Sequence, residues 1–257
     1  MSSRTDSIVE WLRRRLNESG ARGFVFGLSG GIDSAIVARL CQLAAPSNVI
    51  GVLMPCHSDA RDEADAAILA QHFSIPTIRA DLAPPYDQFT AVLQQAVAAL
   101  PKDQLPDQPG SDDIRAQVPL ANVKPRLRMT TLYYIANTLN YMVAGTGNRS
   151  ELSIGYFTKY GDGGVDLLPI GELLKSDVRA LAREFGVPES LIEKAPSAGL
   201  WLGQTDEAEM GFTYAELEDY LTKGPQTVSP ALAMRIERLI RASEHKRALA
   251  PTPGTPS

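Results

Sequence analysis

Cysteine is scarce: Cys41 and Cys56 are the only two in 257 residues, so no disulfide framework is readable. Long apolar runs are missing, and none approaches the ~18 residues that would cross a bilayer. The start, Met1-Ser2-Ser3-Arg4-Thr5-Asp6, has no apolar stretch behind a basic head, so no secretory signal is visible. These absences describe a soluble, cytoplasmic protein with no membrane partner. Positive charge is not in excess either: 25 Lys and Arg face 30 Asp and Glu, a net charge of −5. That argues against a nucleic-acid partner, since coating phosphates needs a basic face. The three histidines, His57, His72 and His245, lack metal-ligand spacing, which argues against zinc. Neither a G-K-[ST] Walker loop nor a G-x-G-x-x-G dinucleotide fingerprint occurs, and no internal repeat is present.

What is present is ordinary globular usage, with 44% hydrophobic and 21% charged residues. Apolar segments alternate between strand-like and helix-like down to about residue 185, the pattern of a parallel α/β sheet. Ile8, Trp11, Leu12 and Leu16 share a helix face that Gly20 and Gly23 end. Phe24–Leu28 reads as a strand buried on both faces, followed by a Gly/Ser turn and a helix from about Ser34 to Ala44. Val49–Met54 is a second strand; Ala64, Ala67 and Ile68 place one face of the helix after it. Pro76–Arg79 is a weak third strand. Phe89, Val92, Leu93 and Val97 mark a helix ending near Pro101. From Pro101 to Pro119, four prolines and four aspartates predict a mobile surface loop. Leu132, Ile135, Ala136 and Leu139 mark a helix, and Tyr141–Gly145 a fourth strand. Val178, Leu181, Ala182 and Phe185 share a helix face before Gly186 and Pro188. Late helices fall near Tyr214–Leu221 and Leu232–Ser243. Residues 1–250 read as one domain and 251–257 as a disordered tail. The fold class is a Rossmann-like, doubly wound parallel α/β sheet with extra C-terminal helices.

The first strand runs into Gly27-Leu28-Ser29-Gly30-Gly31-Ile32-Asp33-Ser34 just where a helix opens. Backbone N–H groups and the positive end of the helix dipole make such a turn an anion site. Gly30 and Gly31 allow close approach of phosphate oxygens, and Ser29 and Ser34 add hydroxyl donors. Bare phosphate would repel Asp33, so its presence points to Mg²⁺ between them. A plain Gly-rich turn with a Ser/Asp cap is the bland alternative.

Three later blocks carry more chemistry. Asn122-Val123-Lys124-Pro125-Arg126-Leu127-Arg128-Met129 is a local basic cluster, either a solvated face or a hold on an anionic ligand. Gly145-Thr146-Gly147-Asn148-Arg149-Ser150-Glu151 lies at the end of the fourth strand, where parallel sheets bind ligands. There Thr146 offers a hydroxyl, and Glu151 a second metal carboxylate with Asp33. Gly155-Tyr156-Phe157-Thr158-Lys159-Tyr160-Gly161-Asp162-Gly163-Gly164-Val165-Asp166 reads as a flexible polar loop.

The S-G-G-x-D-S string resembles the phosphate loop of the N-type ATP pyrophosphatases. With the three blocks and Glu244-His245-Lys246-Arg247, the chain resembles the ammonia-dependent NAD synthetase family from about residue 5 to 248. The resemblance implies amidation of deamido-NAD with ammonia and ATP, giving NAD⁺, AMP and pyrophosphate through an acyl-adenylate, the last step of NAD biosynthesis. Gly27 to Ser34, Thr146, Lys175 and Ser197 would hold ATP, and Asp33 and Glu151 would hold Mg²⁺. Arg126, Lys159, Asp166, His245 and Lys246 would hold deamido-NAD. A homodimer with the dinucleotide site at its interface is implied as well. Two departures stand out. Ser197 occupies a usual Thr position, and Gly147-Asn148-Arg149-Ser150 replaces the D-H-A-A of many members.

The implied chemistry assigns catalytic work to Asp33, Lys175 and Asp162. Two anions must meet in adenylation, which needs charge neutralisation by Mg²⁺, Lys175 and loop amides. Ammonia must then lose a proton, for which Asp162 is the candidate and Asp166 the runner-up. The length leaves no space for an amidase domain in this chain, although a separate amidotransferase stays open. A tRNA-modifying relative would need a basic RNA face, and a non-catalytic nucleotide module would not need two metal carboxylates with Lys159 and Lys175. Cys56 beside His57 is a poor nucleophile pair, because adjacent residues on an extended chain point apart; a place at the end of the second strand, near the adenine, is expected instead. Cys41 is expected as buried packing, and Trp201 as a half-buried aromatic.

Overall fold

A computed structural model describes residues 2–105, 114–197, 199, 201 and 204–253. Chain order is α1 (Ser3–Ser19), β1 (Gly23–Gly27), α2 (Ile32–Ala44), β2 (Val49–Leu53), α3 (Ala60–Phe73), β3 (Thr77–Arg79), α4 (Ala83–Ala98), α5 (Ile114–Ala121) and α6 (Val123–Leu139). It continues with β4 (Tyr141–Val143), α7 (Arg149–Ile154), α8 (Lys175–Glu184), α9 (Glu189–Ile192), α10 (Asp206–Met210), α11 (Tyr214–Lys223), α12 (Pro230–Ala242) and α13 (Glu244–Arg247).

The four strands form one parallel sheet in the order β3-β2-β1-β4. The chain winds outward from β1 to β3, then returns to the far side of β1. That reversal leaves a crevice outside the carboxyl ends of β1 and β4, the usual ligand position in such sheets. Beyond β4 a single parallel bridge, Ala144 to Leu167, extends the pairing. Both faces are covered, as the expected doubly wound class requires. Phe24, Phe26, Ile36, Leu40, Leu69, Val178 and Leu181 pack on one side; Val25, Val52, Val143, Leu132 and Ala136 pack on the other. The uninterrupted run Phe24–Phe26 is buried at every position for this reason. A separate cluster of Ile154, Met210, Phe212, Tyr214, Leu217 and Ile236 ties the C-terminal helices to α7.

Several expectations need correction. The buried face of α3 is Ala66, Leu69, Ala70 and Phe73, whereas Ala64, Ala67 and Ile68 are exposed. Larger side chains one turn further along cover the sheet better than the alanines that set the sequence pattern. On α4 the apolar positions Phe89, Val92, Leu93 and Val97 face outward. The stretch from 101 to 119 is partly helical: α5 begins at Ile114 and accommodates Pro119 inside it. The rest of the loop prediction, residues 106–113, and tail residues 254–257 lie outside the described residues. The short helices α7, α10 and α13 have too few turns to show an apolar period, and no pattern revealed them.

Candidate active site

The turn after β1 is built around two glycines. Gly30 has φ +83°, and a Cβ there would lie 2.5 Å from the Asp62 carbonyl oxygen. Any other residue would meet both backbone strain of about 1–3 kcal/mol and a backbone clash. Gly31 is the N-cap of α2 and offers no side-chain cap, which leaves the first-turn amides of the helix aimed outward. Ser29 and Ser34 line the cleft, and their hydroxyls also brace the loop. The Ser34 hydroxyl donates to the Gly31 carbonyl (2.8 Å) and accepts from the Ser29 amide (3.2 Å). The Ser29 hydroxyl accepts from the Gly31 amide at 3.3 Å. Gly27, Leu28, Ile32 and Asp33 line the same cleft, of about 500 Å³, with Thr146 across from them.

Asp33 and Glu151 follow β1 and β4, which are far apart in the chain but adjacent in the sheet rather than the distant strand ends expected, and Lys175 lies between them. The Lys175 ammonium pairs with Asp33 Oδ2 and stands 3.6 Å from Glu151 Oε1, with 3% of its side chain exposed. Burial opposes its charge, yet Asp33 and Glu151 outweigh burial and hold it above the usual lysine range. Glu151 behaves oppositely: burial and then the Asp33 carboxylate push it up to about 8, against the pull of Lys175. Asn148 connects the two acids. Its amide nitrogen donates to Asp33 Oδ1 at 2.9 Å, and its oxygen caps α7 by accepting from the Glu151 amide at 3.1 Å.

A second tier was not foreseen. Tyr214, essentially fully buried, donates to Asp206 at 2.9 Å and reaches Glu151 at 3.3 Å. Tyr156 donates to Glu209 (2.7 Å) and Asp206 (3.2 Å). Burial pushes the Asp206 carboxyl and both phenols up. The N-x-x-E spacing of the α7 cap was legible in principle; the convergence of Asp206, Tyr156 and Tyr214 had no local signal.

The glycine loop closes the other end of the cleft. Asp162 accepts from the Thr158 amide at 2.8 Å, reachable by solvent from within the cleft but walled by protein. That desolvation pushes its carboxyl up, against pulls from Lys246 and Arg128. Lys246 donates 2.7 Å hydrogen bonds to the carbonyls of Gly155 and Phe157. Lys159 donates to the His245 carbonyl, and Arg126 to the Lys159 carbonyl at 3.4 Å. His245 is exposed on α13. Asp166 sits apart from the cleft lining, holding the Tyr133 hydroxyl (2.9 Å) and the Val143 amide (2.8 Å). The basic cluster splits three ways: Arg126 is exposed, Lys124 is buried against the Tyr86 ring, and Arg128 lines the cleft while bonding Met54 and Ser58. Ser197 lines the cleft too, with its hydroxyl accepting from the Gly199 amide at 3.1 Å.

The decoys stay inert. Cys41 and Cys56 are free and fully buried, and burial pushes both thiols up. Cys56 contacts the Leu82 carbonyl beneath the cleft wall, while its neighbours Met54 and Pro55 form that wall. His57 pairs with Asp87 at 2.7 Å, and Trp201 is half-buried. Among the described residues, no helix is long and apolar enough to cross a membrane.

A sheet that reverses beside a glycine anion loop, with two carboxylates and a lysine at the strand ends, defines an α/β nucleotide-dependent enzyme class. Comparison narrows it. The NAD synthase family model matches residues 4–250. The NH(3)-dependent NAD(+) synthetase of Carboxydothermus hydrogenoformans is 50% identical, over 97% of this chain and 96% of its own. That of Syntrophomonas wolfei is 43% identical, over 95% and 92%. The solved NMN synthetase of Francisella tularensis superposes with a TM-score of 0.87 at 37% identity, covering 99% of this chain and 100% of its own. The chain belongs to the NAD synthase family.

Proposed function

We propose that the chain joins ammonia to deamido-NAD at the expense of ATP, giving NAD⁺, AMP and pyrophosphate, in the cytoplasm. The observation that carries this is the Asp33–Lys175–Glu151 cluster beside the Gly30–Gly31 turn, in a member of the NAD synthase family. Residues 1–250 act as one synthetase domain. The loop from Gly27 to Ser34 takes the phosphates, aided by Thr146, Lys175 and Ser197. The donor chemistry fits Mg²⁺: two carboxylate oxygen ligands suit a hard cation, and both the burial and the Asp33 charge that raise Glu151 disfavour its bare anion, which a cation would relieve. Among the described residues no group of three or more His, Cys, Asp or Glu is gathered for a metal. Asp33 and Glu151 would hold the ion, which would supply charge neutralisation to the phosphates when bound.

The nicotinate carboxylate attacks the α-phosphorus of ATP, forming an acyl–O–P bond as pyrophosphate leaves. Lys175 keeps its proton throughout and stabilises the growing negative charge. Ammonia then attacks the acyl carbon and AMP leaves. Asp162, raised by burial, takes the proton that ammonium must lose. Arg126, Lys159, His245 and Lys246 hold the pyridine substrate, whereas Asp166 is engaged with Tyr133 and the Val143 amide away from the cleft lining. The outward apolar face of α4 supports a homodimer. Amidation of nicotinate mononucleotide is the second reading, favoured by the likeness to the NMN synthetase.

Purified protein with ATP, Mg²⁺, ammonium and each pyridine substrate decides between them. NAD⁺, AMP and pyrophosphate in equal amounts are expected, with deamido-NAD the better substrate. Preference for the mononucleotide would overturn the dinucleotide assignment. In the same assay Asp162→Ala keeps ATP–pyrophosphate exchange and loses NAD⁺; equal loss of both would remove Asp162 from the ammonia step.

A further inference from the structure

The cleft wall opposite α7 holds a cation whose partners are not the metal carboxylates. Lys194 donates to Asp62 Oδ1 at 2.9 Å and to Asp65 Oδ2 at 2.5 Å, one lysine bridging two acids in the first two turns of α3. The three side chains are 21–34% exposed and Lys194 lines the cleft. The same turns of α3 support the phosphate loop. The missing Cβ of Gly30 would fall 2.5 Å from the Asp62 carbonyl and 2.9 Å from Asp65 Cβ. Lys194 thus ties its own segment to the wall on which Gly30 rests. That segment is Lys194-Ala195-Pro196-Ser197, all four lining the cleft. Its far end is tied as well: the Pro196 carbonyl accepts from the Asp206 amide at 3.0 Å, and the Asp206 carboxylate holds Tyr214 and Tyr156.

We propose that Lys194 is a positioning residue whose bridge to Asp62 and Asp65 latches the Ser197 segment against the phosphate loop and thereby sets ATP affinity. The inference rests on the reading of this cleft as the ATP site. An isolated, part-exposed ion pair contributes little to folding, of order 0–1 kcal/mol, so the effect belongs to the placement of the segment. Burial works against the Lys194 charge, but the hydrogen bonds it donates to Asp65 and Asp62 outweigh burial and hold the ammonium above its ordinary range. The bridge therefore persists through neutral pH. It also offsets part of the charge of two carboxylates that would repel a polyphosphate.

A direct phosphate contact by Lys194 is the competing role, and Asp65→Asn separates the two. Under the latch, Asp65→Asn and Lys194→Met each weaken binding of α,β-methylene-ATP by about 10-fold, and the double variant is no worse than the weaker single. Lys194→Arg, which can still bridge both acids, stays close to the parent. Amide exchange in the nucleotide-free protein adds a second readout: Ala195 and Asp206 exchange faster in both single variants. Unchanged or tighter analogue binding by Asp65→Asn, or unchanged exchange at both amides, would overturn the latch. Should Lys194→Met fail to fold, Asp65→Asn with its exchange rates still decides. A parent protein that binds no analogue would defeat the ATP reading instead, while the exchange rates would still report on the latch.

Discussion

Asp33 has two partners and an anion loop within reach, and its setting explains much of the cleft. One oxygen takes the Lys175 ammonium, the other the Asn148 amide. Burial raises Glu151 most, and the Asp33 carboxylate adds to it against the pull of Lys175. Breaking the buried pair by removing only the cation would leave two close carboxylates, a loss of about 3–5 kcal/mol for such arrangements. The raised Glu151 has a defined pH signature. Its pKa moves from 4.5 in the open chain to about 8 when folded, so the folded state binds the extra proton. The stability it contributes is present below about 4.5 and lost as pH rises through about 8. In metal-free protein, the melting temperature of the parent relative to Glu151→Gln should therefore fall across that window, and Mg²⁺ with ATP should flatten the difference. A constant difference between pH 5 and 8 would contradict the raised Glu151 carboxyl. At this scale the sequence was legible where residue type forces the chemistry. The cleft positions of Asp33 and Glu151 follow from the strand-end motifs, whereas the hydrogen bonds among Ser29, Gly31 and Ser34 that brace the two-glycine loop left no pattern in the chain. The hydrogen bond from Asn148 to Asp33 was invisible, because its partners lie 115 positions apart.

At the scale of elements, the strands and long helices were readable because a buried parallel strand and an amphipathic helix each leave a period in the chain. The misreading of the α3 face shows the limit. Alanine spacing alone does not weigh a face, and Leu69 with Phe73 wins the sheet. Short α13 left no period, yet it fastens the glycine loop. Lys246 spans from it to the carbonyls of Gly155 and Phe157, and Arg247 reaches the Leu152 carbonyl at 3.0 Å. Two charge-assisted hydrogen bonds contribute about 1.5–3 kcal/mol each. Lys246→Met should speed amide exchange across residues 155–164 and raise KM for the pyridine substrate about 10-fold, with KM for ATP changed far less. Equal changes in both KM values would place α13 outside the substrate loop's control.

At the scale of the molecule, chain reversal between β3 and β4 brings the phosphate loop, the carboxylate pair and the glycine loop to one end of one sheet. A net charge of −5 looks unsuited to anionic substrates until the cations are located: Lys175, Lys194, Lys246 and Arg128 all line a single cleft. Local field, not overall charge, governs such a site. The central claim is that the pyridine carboxylate attacks the α-phosphorus of ATP there. Deamido-NAD labelled with ¹⁸O in its nicotinate carboxylate tests it most directly. When ammonia displaces AMP, the oxygen bridging carbon and phosphorus departs with the phosphate. Mass spectrometry should find one ¹⁸O per AMP and none in pyrophosphate. Label in inorganic phosphate, or AMP free of it, would contradict the account.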